Sequence, residues 1–300
     1  MKVLNFGSLN IDYTYRVDHI VAPGETISSK NLEIFPGGKG LNQSIALAKA
    51  GAEVYHAGQI GKDGLFLKKI CEENGVCVSY IRETDINTGN AIIQVADSGQ
   101  NSILLFPGAN REQEKTYIDH VLEQFEEGDF LLLQNEINHI DYLIEKGKAK
   151  GMVIGLNPSP FDEKILECDL EKVDLFFVNE VEAEQMCQEE VGKGDVERVL
   201  QELKEEYPKA RFVLTVGAKG AYYSDEEKTY FQKAIKTKVV DTTAAGDTFT
   251  GYFISSIIRG EDCKAALIRA TAASSLAVGR KGASVSIPVK EEVEEYLQTL

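Results

Sequence analysis

Three hundred residues, 43% hydrophobic and 27% charged, describe an ordinary globular chain with enough apolar mass for one large core. A net charge of −16 excludes a nucleic-acid surface, because phosphate backbones are held by clustered Lys and Arg. It leaves room for a nucleotide held by backbone amides and a metal, and no apolar run approaches the length of a membrane span.

The five cysteines (Cys71, Cys77, Cys168, Cys187, Cys263) and four histidines (His19, His56, His120, His139) form no ligand or redox motif. The opening Met1 to Phe6 has no apolar signal core, so the chain is expected in the cytoplasm with its thiols reduced. Lys2 to Gly7 reads as a buried strand. Gly7 to Asp12 is the loop at its carboxyl end, where open α/β sheets bind ligands. Asn10 and Asp12 alternate with apolar neighbours, and they either clamp sugar hydroxyls or make local turn bonds.

Tyr13 to Val21, Ser29 to Phe35, Val76 to Arg82, Asn90 to Val95 and Ser102 to Phe106 alternate polar and apolar residues, the pattern of strands with one wet face. They are expected to form a small antiparallel sheet outside the main one. That sheet is a candidate lid, built from two excursions, residues 13–35 and 76–106, of a single domain spanning 1–300. Between the excursions, Pro36-Gly37-Gly38-Lys39-Gly40-Leu41-Asn42-Gln43 opens a small-residue helix, Ser44 to Gly51. The turn is neither a Walker A loop nor a dinucleotide fingerprint. Either it lets a ligand touch backbone, with Asn42 facing the same pocket, or it is a structural glycine turn.

From Glu53 onward short apolar strands alternate with amphipathic helices: Val54 to Gln59, Leu65 to Asn74, Phe130 to Gln134, Ile140 to Lys150, Met152 to Leu156, Leu175 to Val178, Glu180 to Gln188 and Phe212 to Val216. Such alternation indicates a parallel sheet covered on both faces. The polar ends Gln134-Asn135-Glu136, Asn157, Asn179 and Thr215 should gather along one edge of it. Asn179 and Glu182 share a helix face and suit Mg²⁺, although capping explains Asn179 alone.

Asp241-Thr242-Thr243-Ala244-Ala245-Gly246-Asp247 follows the strand-like Thr237 to Val240 and runs into a helix, Phe249 to Ile258. The first amides of a helix lack internal partners and its macrodipole is positive there, so Ala244, Ala245 and Gly246 would face an anion. Asp247, at the rim, either caps the helix or takes a proton from a hydroxyl attacking phosphorus. Asp262 to Val278 is a helix crowded with Ala and Ser, against which adenine or another helix could lie, and Glu291 to Leu300 is a terminal helix.

With Gly37-Gly38-Lys39-Gly40-x-Asn42, Asn179-x-x-Glu182 and Asp241-x-x-Ala244-x-Gly246-Asp247 in this order, the chain resembles the ribokinase family of carbohydrate kinases from about Val3 to Pro288. The resemblance implies a three-layer α/β/α sandwich with a mostly parallel central sheet, a small antiparallel β-sheet lid, and phosphoryl transfer from ATP to a sugar hydroxymethyl. By position, Asn10, Asp12, Gly38, Lys39, Asn42 and Glu136 match sugar-binding residues, Ala91 and Ile93 match lid residues over the sugar, and Asp247 matches the catalytic base. Ala244, Ala245 and Gly246 match the anion hole. Asn179 and Glu182 match positions around magnesium and the phosphates, and Thr215, Gly217 and Gly220 match the nucleotide side.

Asp241, Thr243, Ala277, Arg280, Gly282 and Ser286 match a monovalent-cation site, so activation by K⁺ is expected, and the lid is expected to pair with a second subunit in a homodimer. D-ribose is the expected sugar, because Ala91 and Ile93 offer a small apolar cover where a nucleoside ring would need aromatic contacts. Thr271 departs from the pattern, standing where relatives often carry Asn. Two alternatives remain: a same-fold kinase for deoxyribose, fructose or a nucleoside, and a sugar-binding regulator on the same scaffold. Asp247 and the intact anion hole speak against the second.

Overall fold

The computed structural model describes residues 1–187 and 195–300. In it β1 (Val3–Phe6), fully buried, leads through Gly7 into β2 (Asn10–Val17), which pairs antiparallel with β3 (Asn31–Gly37). α1 (Lys39–Lys49) starts at Lys39 rather than Ser44, because Gly38 at φ 91° ends the strand in a conformation that glycine adopts freely. β4 (Val54–Gly61), α2 (Leu65–Glu73) and β5 (Cys77–Thr84) follow, and then β6 (Gly89–Ala96) and β7 (Asn101–Phe106) form a hairpin.

The strand–helix alternation continues with α3 (Lys115–Leu122), β8 (Phe130–Gln134), α4 (Ile140–Ala149), β9 (Val153–Asn157), β10 (Leu175–Asn179), α5 (Glu180–Met186), α6 (Val196–Glu206) and β11 (Arg211–Thr215). β12 (Gly220–Ser224), β13 (Thr229–Lys233), α7 (Ala245–Ile258), α8 (Cys263–Val278) and α9 (Lys290–Leu297) complete it. Gln188, the expected end of α5, lies outside the described residues.

Among the described residues nine strands make one sheet in the order β13-β12-β11-β10-β9-β8-β1-β4-β5, parallel from β5 to β11 and antiparallel at the β12–β13 edge. Alternate residues feed cores on opposite faces. Leu131 and Leu133 pack with Ile118 of α3 and Leu143 of α4, while Phe130 and Leu132 pack with Ile45 of α1 and Phe253 of α7. This is the expected three-layer, mostly parallel sandwich. The strand order reverses around β1, which has β4 on one side and β8 on the other, and ligand crevices of such sheets open at the carboxyl edge of that reversal.

A separate sheet runs β3-β2-β6-β7, two antiparallel pairs meeting along a parallel β2–β6 contact. One expected member is absent from it: of Val76 to Arg82, all but Val76 belong to β5, parallel to β4 at the edge of the main sheet. An edge strand keeps one face partly wet, and so shows the same alternation as a strand of a small exposed sheet. Asn10 and Asp12 stand on β2 itself rather than in a loop. Thr237 to Val240 is irregular, tied to α8 by the Val240 N–H on the Val278 carbonyl at 2.8 Å. The β12–β13 hairpin, α3 and α6 are elements that the sequence pattern did not separate. Among the described residues no helix is long and apolar enough to cross a membrane.

α7 is buried from Asp247 to Ser256 and packs against α1 at Gly251. A Cβ there would stand 2.4 Å from the Ala46 side chain and 2.8 Å from its carbonyl carbon, so neither a rotamer change nor a small shift could clear it. Gly251→Val is expected to lower the unfolding free energy by about 1–3 kcal/mol or more, read from urea denaturation. A variant as stable as the parent would show that the two helices separate freely.

Candidate active site

Two helix starts meet at the carboxyl edge of the sheet. The first is the turn into α1. A Cβ on Gly40 would lie 2.4 Å from the Ser8 amide, so glycine allows this turn to press onto the loop after β1. Leu41 N–H then donates to the Ser8 carbonyl at 2.9 Å, and Gly40 N–H to Ser8 Oγ at 3.2 Å. Glu136, just beyond β8, accepts from the Lys39 amide at 2.9 Å and from the Ser8 hydroxyl. Burial raises the Glu136 carboxyl above its ordinary range, and the nearby Asp247 adds to the rise against Lys39 and Ser8.

Asp12 lies over Gly37, where any Cβ would fall 2.1 Å from its carboxylate. Burial first, and then the charge of Glu136, push it up to about 7. Asn10 is held from the side, since Asn110 Nδ2 donates to its Oδ1 at 2.7 Å and Asn110 also pairs with the Leu9 main chain. Ala91 sits opposite Asp12, and Ile93 opposite Thr14, on the neighbouring strand β6. Asn42 completes the cluster: its Nδ2 donates to Asp247 Oδ2 at 3.0 Å, and its Oδ1 is buried with no partner among the described residues.

The second helix start is that of α7. Ala244 caps it in the left-handed conformation at φ 58°, and the first helical bond is Thr248 N–H on the Ala244 carbonyl at 2.8 Å. Of the three amides expected to face an anion, that of Ala245 already donates to the Thr242 carbonyl at 3.2 Å. Gly246 is exposed, and nothing lies within 4 Å of where its Cβ would be, so its amide stays approachable. Asp247 is 8% exposed and accepts from Asn42 on one oxygen and from Gln43 Nε2, at 2.9 Å, on the other.

A cleft of about 250 Å³ connects the two starts, lined by Lys39, Asn179, Glu182, Thr215 and Ala244 to Asp247. Asn157, Ser159 and Thr242 also line it, three residues with no role expected from the sequence. Asn179 and Glu182 form a capping box, with Glu182 N–H on Asn179 Oδ1 at 2.9 Å and Asn179 N–H on Glu182 Oε2 at 3.0 Å. Capping therefore accounts for both residues, not for Asn179 alone, and uses one of the two carboxylate oxygens of Glu182, a residue that lines the cleft. Among the described residues no three His, Cys, Asp or Glu side chains are grouped to hold a metal.

Gly217 and Gly220, at φ 52° and 141°, shape the turn after β11 beyond the cleft lining. Thr271 is buried on α8 with its hydroxyl unpartnered among the described residues. Behind the α7 start, Asp241 accepts from the Thr243 amide and hydroxyl at 2.9 and 2.6 Å and from the Gly282 amide at 3.0 Å. Burial pushes Asp241 up, but these bonds outweigh it and hold the group below the usual carboxylate range. Arg280 sends its guanidinium away to Glu292, so only its main chain is left for this loop. Ala277 and Ser286 are buried beside it, and Ser284 Oγ is buried without a partner among the described residues.

Known proteins are similar to this chain along nearly their whole length. A ribokinase of Haemophilus influenzae is 34% identical over 300 residues, covering 97% of each chain, and a deoxyribokinase of Salmonella typhi is 30% identical over 99% of each. The structure of an Arabidopsis thaliana ribokinase complexed with ribose and ATP superposes with a TM-score of 0.86 at 28% identity, covering 99% of this chain and 98% of that one. Residues 1–290 match the description pfkB family carbohydrate kinase, and the chain belongs to that family.

Proposed function

We propose that the protein transfers the terminal phosphoryl group of ATP to the 5-hydroxyl of D-ribose, giving ADP and ribose 5-phosphate. The observation that carries this reading is the pair of helix starts: a buried carboxylate, Asp247, is hydrogen-bonded to Asn42 of the sugar-side turn and adjoins the open amide of Gly246. Asn10, Asp12, Lys39, Asn42 and Glu136 hold the sugar hydroxyls, with Gly38 giving room, and Ala91 and Ile93 cover it from the small sheet, which acts as the lid. The free Oδ1 of Asn42 supports this, being a buried acceptor that lacks a donor.

Asp247 takes the proton as the sugar oxygen bonds to phosphorus and the bond to the ADP oxygen breaks. The amides of Ala244, Ala245 and Gly246 stabilise charge on the moving phosphoryl group; Ala245 must release Thr242 to join them. Thr215, Gly217 and Gly220 border the nucleotide. Mg²⁺ would be held through water by Glu182 and Asn179 and would neutralise phosphate charge, which fits a site with one spare carboxylate oxygen and no metal cage among the described residues.

K⁺ would be held by Asp241, the Thr243, Ala277, Arg280 and Gly282 main chain, and Ser286. The unpartnered Ser284 hydroxyl in the same loop supports the fit. Exposed Ile103 and Leu104 on the edge strand β7, at 56% and 67%, support a homodimer through the lid sheets. The thiols of Cys71, Cys77, Cys168 and Cys263 suit a reducing cytoplasm.

ADP release is expected with ribose above deoxyribose, fructose, adenosine or no sugar, and Asp247→Asn is expected to lower kcat by roughly 10² to 10⁴. Turnover within twofold of the parent would remove Asp247 as the base. Rates in K⁺ should exceed those in a bulky organic-cation buffer; equal rates would dismiss the cation site.

Asp12 gives a pH test. Between its unfolded value of 3.8 and about 7, the folded chain keeps a proton that the unfolded chain has released, so stability falls as pH rises through that window. Asp12→Asn is therefore expected to raise the melting temperature of sugar-free protein more near pH 8 than near pH 5, while raising the ribose KM at least about tenfold. An unchanged KM would exclude Asp12 from sugar binding.

A further inference from the structure

Four neighbouring strands carry a polar side chain where apolar alternation calls for core. Asn5 on β1, His56 on β4, Gln134 on β8 and Asn157 on β9 continue the faces begun by Val3, Val54, Leu132 and Val153, which pack toward α1 and α7. Asn5 is in register with His56, and Gln134 with Asn157. Asn5, His56 and Gln134 are wholly buried, as is Gln43 on α1, and burial pushes His56 down to about 4, so it is neutral. Amides buried this deeply are unfavourable unless paired, so the sense of their pairing is informative.

The bonds run in one direction. Asn5 Nδ2 donates to the Gly40 carbonyl and to Ser44 Oγ, each at 2.8 Å. A carbonyl only accepts, so Asn5 must turn its oxygen toward Gln134. Gln134 Nε2 donates to that oxygen and to Gln43 Oε1, each at 2.8 Å. Gln43 is then left with its N–H groups, which reach Asp247 Oδ1 at 2.9 Å and Asn157 Oδ1 at 3.2 Å. Asn157 is fixed from its own side, since its Nδ2 donates to the Phe177 carbonyl at 2.8 Å. Gln134 Oε1 is left buried without a donor, as His56 Nε2 is left without a partner, among the described residues. Turning Gln134 over would set oxygen against oxygen at both Asn5 and Gln43.

We propose that Gln43, oriented by Gln134 and Asn5, is a positioning residue for phosphoryl transfer. The carbonyls of Gly40 and Phe177 set the sense of the amides so that a donor always faces Oδ1 of Asp247. This rests on the reading of Asp247 as the base and extends it to side chains that do not line the cleft.

The test is a double-mutant cycle, with kcat and ribose KM measured for Gln43→Met, Gln134→Glu and the pair. Gln134→Glu keeps the shape but loses both N–H donors, which frees Gln43 to turn its oxygen on Asp247. Each single variant is expected to lose roughly 10- to 100-fold in kcat, the scale of a hydrogen bond to a charged group, with ribose KM within about threefold. Adding Gln134→Glu to Gln43→Met is expected to change kcat by less than about threefold, because the route is already cut. Losses that multiply in the pair, or a Gln134→Glu enzyme with parental kcat, overturn the proposal.

If melting shows that Gln134→Glu does not fold, Gln43→Met decides alone. A fall in kcat at constant KM supports the relay; unchanged kcat, or a matching rise in KM, overturns it. Asp247→Asn run alongside separates the two readings. Activity in that variant removes the base and the relay together, whereas inactivity beside unaffected glutamine variants removes only the relay.

Discussion

The hydrogen bond from Asn42 Nδ2 to Asp247 Oδ2, 3.0 Å long and spanning 205 residues of sequence, requires α1 and α7 to pack with almost nothing between them. Gly251 against Ala46 supplies that closeness, and small residues on α8 continue it on the other side of α7. Ser274 Oγ of α8 donates to the Ala245 carbonyl at 3.1 Å, which ties the first turn of α7 to its neighbour as well. The carboxylate proposed as the base stands on the first turn of a helix and is only as well placed as that helix. Here both flanks are fixed by main-chain approach rather than by long flexible side chains.

The sheet explains why these two helix starts, and not others, meet. The chain turns back at β1, sending β4 and β5 to one side and β8 to β11 to the other, so the loop after β1 lies at the centre of the carboxyl edge. Ser8 in that loop touches both the α1 turn and Glu136. β2 departs from the same loop into the small sheet, so Asn10 and Asp12 project from the strand that joins the two sheets. Movement of the small sheet would therefore move Asn10 and Asp12 with it, which under the proposed function couples covering the sugar to holding it.

Much of this was legible in the sequence, because alternation of buried strands with amphipathic helices and the two glycine- and alanine-rich turns are local patterns. The misreading of Val76 to Arg82 has a local cause: an edge strand of a parallel sheet alternates like a strand of an exposed one. Glu182 was ambiguous because a capping box and a cleft-facing carboxylate share one spacing. The engagement of Ala245 with Thr242 depends on the left-handed turn at Ala244, a conformation that alanine composition does not announce. The amides of Asn5, Gln43 and Gln134 were out of reach for another reason. Their bonds join residues 35 to 204 positions apart, and a single polar residue in an apolar strand does not say which partner it has.

Neutral amides suit this place better than ions. An Arg or Lys against Asp247 would fix its position equally well, but its charge would stabilise the carboxylate and weaken it as a proton acceptor. Amide donors orient the carboxylate at smaller electrostatic cost to its basicity, provided their own orientation is settled elsewhere. Main-chain carbonyls settle it, because they cannot reverse. The arrangement sacrifices stability: four strand positions that could carry apolar side chains carry polar ones, and Gln134 leaves one oxygen unpaired. Such a loss in the best-packed part of a sheet is what selection for a fixed carboxylate, the base of the proposed reaction, rather than for a stronger core, would leave behind.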